Sequence, residues 1–452
     1  MVPAELTGVP KPLTAAPAPQ TDAAGSAIQK AFWRIVPWCT LIYVVSYIDR
    51  VNVGFAALSM NKELGLTFAT FGIANTVLFV MYTVFEVPSS LLLVRYGIRR
   101  WLPAIMIAWG IASACTLFAV GAYSLYGLRG LVGLAEAGLL PGMLFFLSRW
   151  FPAAHRAKAN ALFLGSLPLA LAIGGPLSGW IMTMDGTWGL SGWRWLFLLE
   201  GLPPILMGLA VILWLPSLPA EAPWLTPVEK TDLQKRLDQE RLAPAKSAGD
   251  RAWKDVLNLP VVVLALSYFC VIATVNTIGV WTPLIVKEMM GTDASKTVLI
   301  GWLTAIPPIV PIVGMQIVSW NSDRTQERTF HLISVMAAAG LGWALMVVLP
   351  TPGLKLAGLS LCAPGGYAAM ALFWTVGTKY IPHRSQAVGI AAIQSVGNCA
   401  SITSPTIIGM LRDSTHNFYA GAWYTAGLLT FGVVLVLLVT SSARGKGLAT
   451  AE

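Results

Sequence analysis

Apolar residues run through this chain in twelve long stretches, near 35–58, 70–93, 101–120, 124–147, 160–183, 195–215, 257–282, 298–318, 330–349, 355–377, 386–410 and 421–441. Each has about the length at which an α-helix crosses the ~30 Å hydrocarbon layer of a bilayer. Lipid offers the backbone no hydrogen-bonding partner, so such runs predict helices. The chain therefore reads as an all-α polytopic membrane protein with twelve transmembrane helices. All connections are short except one, of mixed charge, which divides the spans six plus six. The pattern predicts a disordered tail over 1–31, a six-helix bundle over 32–216, a central loop over 217–256, a second bundle over 257–442 and a tail over 443–452.

The two halves echo each other. Arg149-Trp150-Phe151-Pro152 with His155-Arg156 recurs as Lys379-Tyr380-Ile381-Pro382 with His383-Arg384. A weaker pair is Arg95-Tyr96-Gly97-Ile98-Arg99-Arg100 against Asn321-Ser322-Asp323-Arg324. Paired half-bundles are the mark of an alternating-access carrier, which holds substrate between them at mid-membrane. The charged loop residues Arg95, Arg99, Arg100, Asp323 and Arg324 are candidate gating latches; a purely topological role is the other reading.

Composition agrees. The 452 residues are 56% hydrophobic and 11% charged, against about a quarter charged in a soluble domain. The net charge of +9 does not point to nucleic acid. With the N-terminus placed in the cytoplasm, 22 of the 30 Lys and Arg fall on cytoplasmic segments and six on the other side. That bias predicts cytoplasmic termini. Five Cys occur singly, without disulfide or metal spacing. No cofactor is implied, and no nucleophile-and-base pair suggests an enzyme.

The chemistry lies in charges within the apolar runs. Asp49, Arg50, Glu86, Arg129 and Glu136 stand out, all in the first half. Ionisable groups in a bilayer are costly unless paired, hydrated or used. Arg129 and Glu136 are seven residues apart and share a helix face, about 10 Å apart along the axis. An Arg keeps its proton and grips a carboxylate through two parallel bonds; Arg50 and Arg129 are candidates. A buried acid can titrate near neutrality; Asp49 and Glu136 are candidate proton carriers, with Glu86 a weaker one. The bland alternatives are a structural ion pair for Asp49 and Arg50, a gate for Glu86 and snorkelling for Arg129. The second half offers neutral groups, among them Asn276, Gln394 and Asn398, while Tyr82 and Trp281 could stack on a ring.

With these residues in hand, the chain resembles the major facilitator superfamily, and within it the anion:cation symporter family. The resemblance rests on YIDRVNVGFA (47–56), FEVPSSLLLVRYGIRRW (85–101), RGLVGLAEAGLLPGMLFFLSRWFP (129–152), GGPLSGW (174–180), GWRWLFLLEGLP (192–203), LPSLPAEAPWLTPVEK (215–230) and SPTIIGMLRD (404–413). It implies uptake of an organic carboxylate by proton symport, through Asp49, Arg50, Tyr82, Arg129 and Glu136, with Asn398 touching substrate. It departs in the loop after the second span, where Leu93 or Val94 stands in place of an acid, and at Ser90, where relatives carry Asn. It departs again in the seventh span, where Asn276-Thr277 replaces the familiar Tyr-Gly.

The expected activity is import of tartrate or a sugar acid with protons. An aromatic carboxylate, a sodium-coupled or uncoupled anion carrier, and a non-transporting membrane sensor are the alternatives. The expected setting is the bacterial inner membrane, as a monomer whose partners are the carboxylate, protons and the lipid bilayer.

Overall fold

The computed structural model describes residues 23–242, 258–291, 296–325, 327–381 and 386–445, and these are almost wholly helical. The first half contains α1 (Ala23–Glu63), α2 (Phe68–Tyr96), α3 (Ile98–Cys115), α4 (Ala122–Glu136), α5 (Leu139–Trp150), α6 (Ala153–Leu164), α7 (Leu167–Ile181) and α8 (Gly192–Trp214). A further helix, α9 (Pro227–Leu242), occupies the central connection. The second half follows as α10 (Leu259–Met290), α11 (Thr297–Thr325), α12 (Thr329–Val348), α13 (Pro352–Gly377), α14 (Gln386–Thr415) and α15 (Tyr419–Gly445).

α4 with α5, and α6 with α7, each make one crossing, so the described residues cross twelve times. Eleven of these crossings are apolar and long enough to span on composition alone. The twelfth is α14, 30 residues long but polar along one side, and it packs between α2 and α10. The fourth crossing breaks directly after Glu136. Gly138 there takes φ +85°, a conformation open to glycine because it has no Cβ. Pro141 has no N–H to return to the carbonyl of Ala137, four residues earlier.

The halves join through α1 with α10, α2 with α14 and α7 with α11. Each seam closes on glycine. A Cβ on Gly54 would strike the Val280 carbonyl, one on Gly72 that of Pro405, one on Gly409 that of Phe68, and one on Gly175 that of Gly301. Missing side chains let the backbones touch. Thr76 adds a hydrogen bond to the Ile402 carbonyl and another with Thr406 at 2.8 Å.

These contacts all lie in the membrane half remote from the chain ends. Further along α2, Val87 and Val94 share the helical face of Thr76, yet they are 66% and 72% exposed. The halves are sealed at one face and parted at the other, the face at which α1 begins and α15 ends.

Two segments differ from the hydrophobic reading. The tail expected over 1–31 is already helical from Ala23, with Ala24, Ala27, Ile28 and Ala31 buried. The central loop contains α9, whose Glu229 accepts hydrogen bonds from Ser26 at 2.8 Å and Lys30 at 2.7 Å. Each polar helix is held by the other, and hydropathy alone does not register that support.

Candidate substrate and proton site

α1, α2 and α4 bring the predicted charges together at mid-membrane. Arg50 Nε donates to Glu136 Oε1 at 2.8 Å, and Ser46, one turn earlier on α1, donates to the same oxygen. The Tyr82 ring lies 4.7 Å from the guanidinium carbon, and the Tyr47 ring lies 5.9 Å from it. Such faces attract a cation through the ring quadrupole. The Arg50 side chain is 21% exposed and that of Glu136 is 0%. Solvent therefore reaches the base but not the acid. Glu136 Oε2 has no hydrogen-bond partner among the described residues. Glu86, one turn beyond Tyr82 on α2, is half-buried and within electrostatic reach of Arg50.

Asp49 is not paired with its sequence neighbour. It is buried against α3, where Trp109 Nε1 donates at 2.7 Å and Ser113 Oγ also donates. Asn52 Nδ2 completes its shell at 3.2 Å. Arg129 is buried nearby on α4 and acts on Asp49 through space. Its Nη2 donates to Asn75 Oδ1 at 3.3 Å, while its Nε has no partner among the described residues. The snorkelling alternative fails, because Arg129 is 2% exposed.

One buried acid was not singled out from the sequence. Glu200 on α8 is 4% exposed, accepts from Ser178 Oγ at 2.8 Å and lies within hydrogen-bonding reach of Asn52. The signal was present: a lone acid in the apolar run Trp195–Leu215.

The second half supplies neutral groups. Asn276 Nδ2 donates to Ser401 Oγ at 2.8 Å, and Gln394 Nε2 donates to Asn398 Oδ1 at 3.3 Å. Asn398 lies one turn from Ile402, whose carbonyl meets Thr76. It therefore faces the first half where the halves part. Trp281 is placed elsewhere. It is fully buried among Phe68, Phe71 and Phe418, with ring centroids at 6.4, 5.3 and 5.6 Å. That aromatic cluster belongs to the closed face, so Trp281 is not within reach of a ligand entering from the open one.

The predicted latches are loose in this state. Arg95, Arg99 and Arg100 are exposed and pair with no acid among the described residues. Arg95 and Arg324 instead lie over the rings of Tyr96 and Trp320, at 5.5 Å each. The side chain of Asp323 lies outside the described residues.

A family model described as Major Facilitator Superfamily matches residues 39–405. The chain belongs to the Major Facilitator Superfamily. As a superfamily member it is a carrier rather than an enzyme, a secondary transporter that works by alternating access. It is 38% identical over 422 residues to a putative tartrate transporter of Agrobacterium vitis, covering 93% of each chain. It is 34% identical over 418 residues to a quinolone resistance transporter of Acinetobacter baumannii, covering 92% of this chain and 96% of that protein. The inward open conformation of the xylose transporter XylE from E. coli superposes with a TM-score of 0.69 at 12% identity, covering 90% of this chain and 95% of that one. At that identity the likeness is one of fold.

Proposed function

We propose that this protein imports a small organic carboxylate together with protons across a bacterial inner membrane, with both termini in the cytoplasm. The observation that carries the reading is the Arg50–Glu136 ion pair, buried on the acid side and open on the base side. While Glu136 is charged, it occupies Arg50. A proton on Glu136 removes that competitor and frees the guanidinium for a substrate carboxylate. Substrate release and deprotonation restore the internal pair. Coupling follows because the unpaired buried charge is the costly state.

Tartrate or a sugar acid is the substrate class we favour. Asn276, Gln394 and Asn398 of the second half would give hydroxyl groups hydrogen-bonding partners, and an Agrobacterium vitis relative is named a putative tartrate transporter. The cytoplasmic placement of the open face rests on the Lys and Arg bias, 22 of 30 on that side.

The test is uptake into proteoliposomes under an imposed pH gradient, with internal pH recorded, over tartrate, galactonate, glucarate, phthalate and hydroxyphenylacetate. Uptake of a hydroxylated acid with proton influx is the expected result. Uptake indifferent to pH, or driven by sodium, would overturn proton coupling; preference for the aromatic acids would overturn the substrate class.

A further inference from the structure

A second cavity lies well away from the Arg50 site, where α1 and α8 reach the face that carries the chain ends. Its volume is about 350 Å³, and Arg34, Trp33, Trp38, Trp214 and Trp224 dominate its walls. Trp224 is its fixed floor, stacked on buried Trp150 at 5.5 Å and 20°. Arg34 lies over Trp224 at 5.1 Å, and Trp38 meets Trp214 edge-on at 6.0 Å. No acid among the described residues forms an ion pair with Arg34. Trp33 and Trp214 form the outer rim and are 68% and 71% exposed.

Depth decides what such a cavity meets. The apolar run 35–58 centres near Ser46. At 1.5 Å per residue, Trp38 lies about 12 Å from that centre and Arg34 about 18 Å. The hydrocarbon layer ends about 15 Å from the centre and the headgroups follow. The aromatic walls thus straddle the boundary, where Trp is favoured, and the cation sits at phosphate level. Below it on the same face of α1 is Leu41, 48% exposed and open to an acyl chain.

We propose that this cavity is a binding site for the headgroup of an anionic phospholipid. Arg34 holds the phosphate, the tryptophans wall the glycerol region, and the acyl chains leave along α1 and α8. A cation with no acidic partner among the described residues, floored by an aromatic ring and set at headgroup depth, matches an anion that comes with hydrocarbon attached.

The experiment is native mass spectrometry of the full-length protein, released from detergent with equal phosphatidylglycerol and phosphatidylethanolamine. The wild type should retain phosphatidylglycerol preferentially. Arg34→Gln should lose that preference by about fivefold, the weight of one basic residue at an anionic surface. Arg99→Gln, at an exposed base elsewhere, should keep it. Equal retention of the two lipids by the wild type, or an unchanged preference in Arg34→Gln, would overturn the site. Displacement of the lipid by millimolar glycerol phosphate as readily as by added phosphatidylglycerol would assign the cavity to a soluble anion and overturn the lipid reading.

Discussion

Asp49 and Arg50 are neighbours in the chain and look to different sides of α1, the acid into α3 through Trp109 at 2.7 Å and the base into α4 through Glu136 at 2.8 Å. The two acids therefore play different parts. Gln in place of Glu136 keeps an oxygen for Arg50 and Ser46 but cannot take up a proton. Glu136→Gln should abolish pH-driven accumulation while leaving substrate exchange, measured as counterflow with no pH gradient. Asp49→Asn replaces an acceptor that serves three donors and should cost about 1–3 kcal/mol of stability as well. Thermal unfolding in detergent separates the two; an Asp49→Asn protein as stable as wild type would mean that the α3 contacts carry no structural weight.

Arg50 engages Glu136 through Nε, and once that acid is neutralised the whole planar fork turns to a ligand. Lys offers a single point charge in place of the fork. Arg50→Gln should weaken substrate binding by about a hundredfold, in line with the ~2–5 kcal/mol of a desolvated charge pair. Arg50→Lys should fall between. Titration calorimetry on the purified carrier measures both, and wild-type affinity in Arg50→Gln would remove Arg50 from the substrate site.

The closed face depends on absent side chains. Gly72→Val would place atoms where the Pro405 carbonyl now sits. The seam between α2 and α14 should then open, and Thr76→Cys, introduced with Cys399 replaced, should become labelled by a membrane-impermeant thiol reagent from the side remote from the chain ends. Labelling as slow as with Gly72 intact would show that the seam tolerates the extra bulk.

α9 is tied to α1 by a pH-sensitive contact. The hydrogen bond from Lys30, aided by the Thr226 backbone and Ser26, lowers the Glu229 carboxyl from its ordinary 4.5 to about 2. A depressed acid stabilises the folded form above its unfolded pKa, so the clasp is at full strength above pH 4.5. It weakens as pH falls from 4.5 toward 2. Hydrogen exchange in α9 should be slow and flat from pH 5 to 8 once intrinsic rates are divided out, and should lose protection below pH 4. Glu229→Gln should lack that transition; a wild-type transition in the variant would assign it to another group.

Much of this was legible in the sequence, because hydrophobic length is a local property. Twelve runs gave twelve crossings, and charges inside those runs marked Arg50, Arg129 and Glu136 before any contact was known. What escaped was direction. Consecutive helix residues point about 100° apart, so Asp49 beside Arg50 suggested a pair that the helix does not form. Trp281 read as a ring open to substrate, whereas Phe68 and Phe71 of α2 and Phe418, just ahead of α15, bury it. The polar start of α1 and the whole of α9 are stabilised by each other through Glu229, a long-range contact that leaves no periodic trace.

The first turn of α2 is completed from outside its own half. Thr67 caps Thr70, but the amides of Phe68 and Ala69 donate to Asp413 of α14, at 3.0 and 2.7 Å. A carboxylate at a helix N-terminus satisfies donors that have no partner within the helix and favours its positive end. When the halves separate at this face, Asp413 leaves with α14 and two backbone donors turn to water. Opening toward the far side is therefore also the uncapping of a helix, and those two amides register which way the carrier faces.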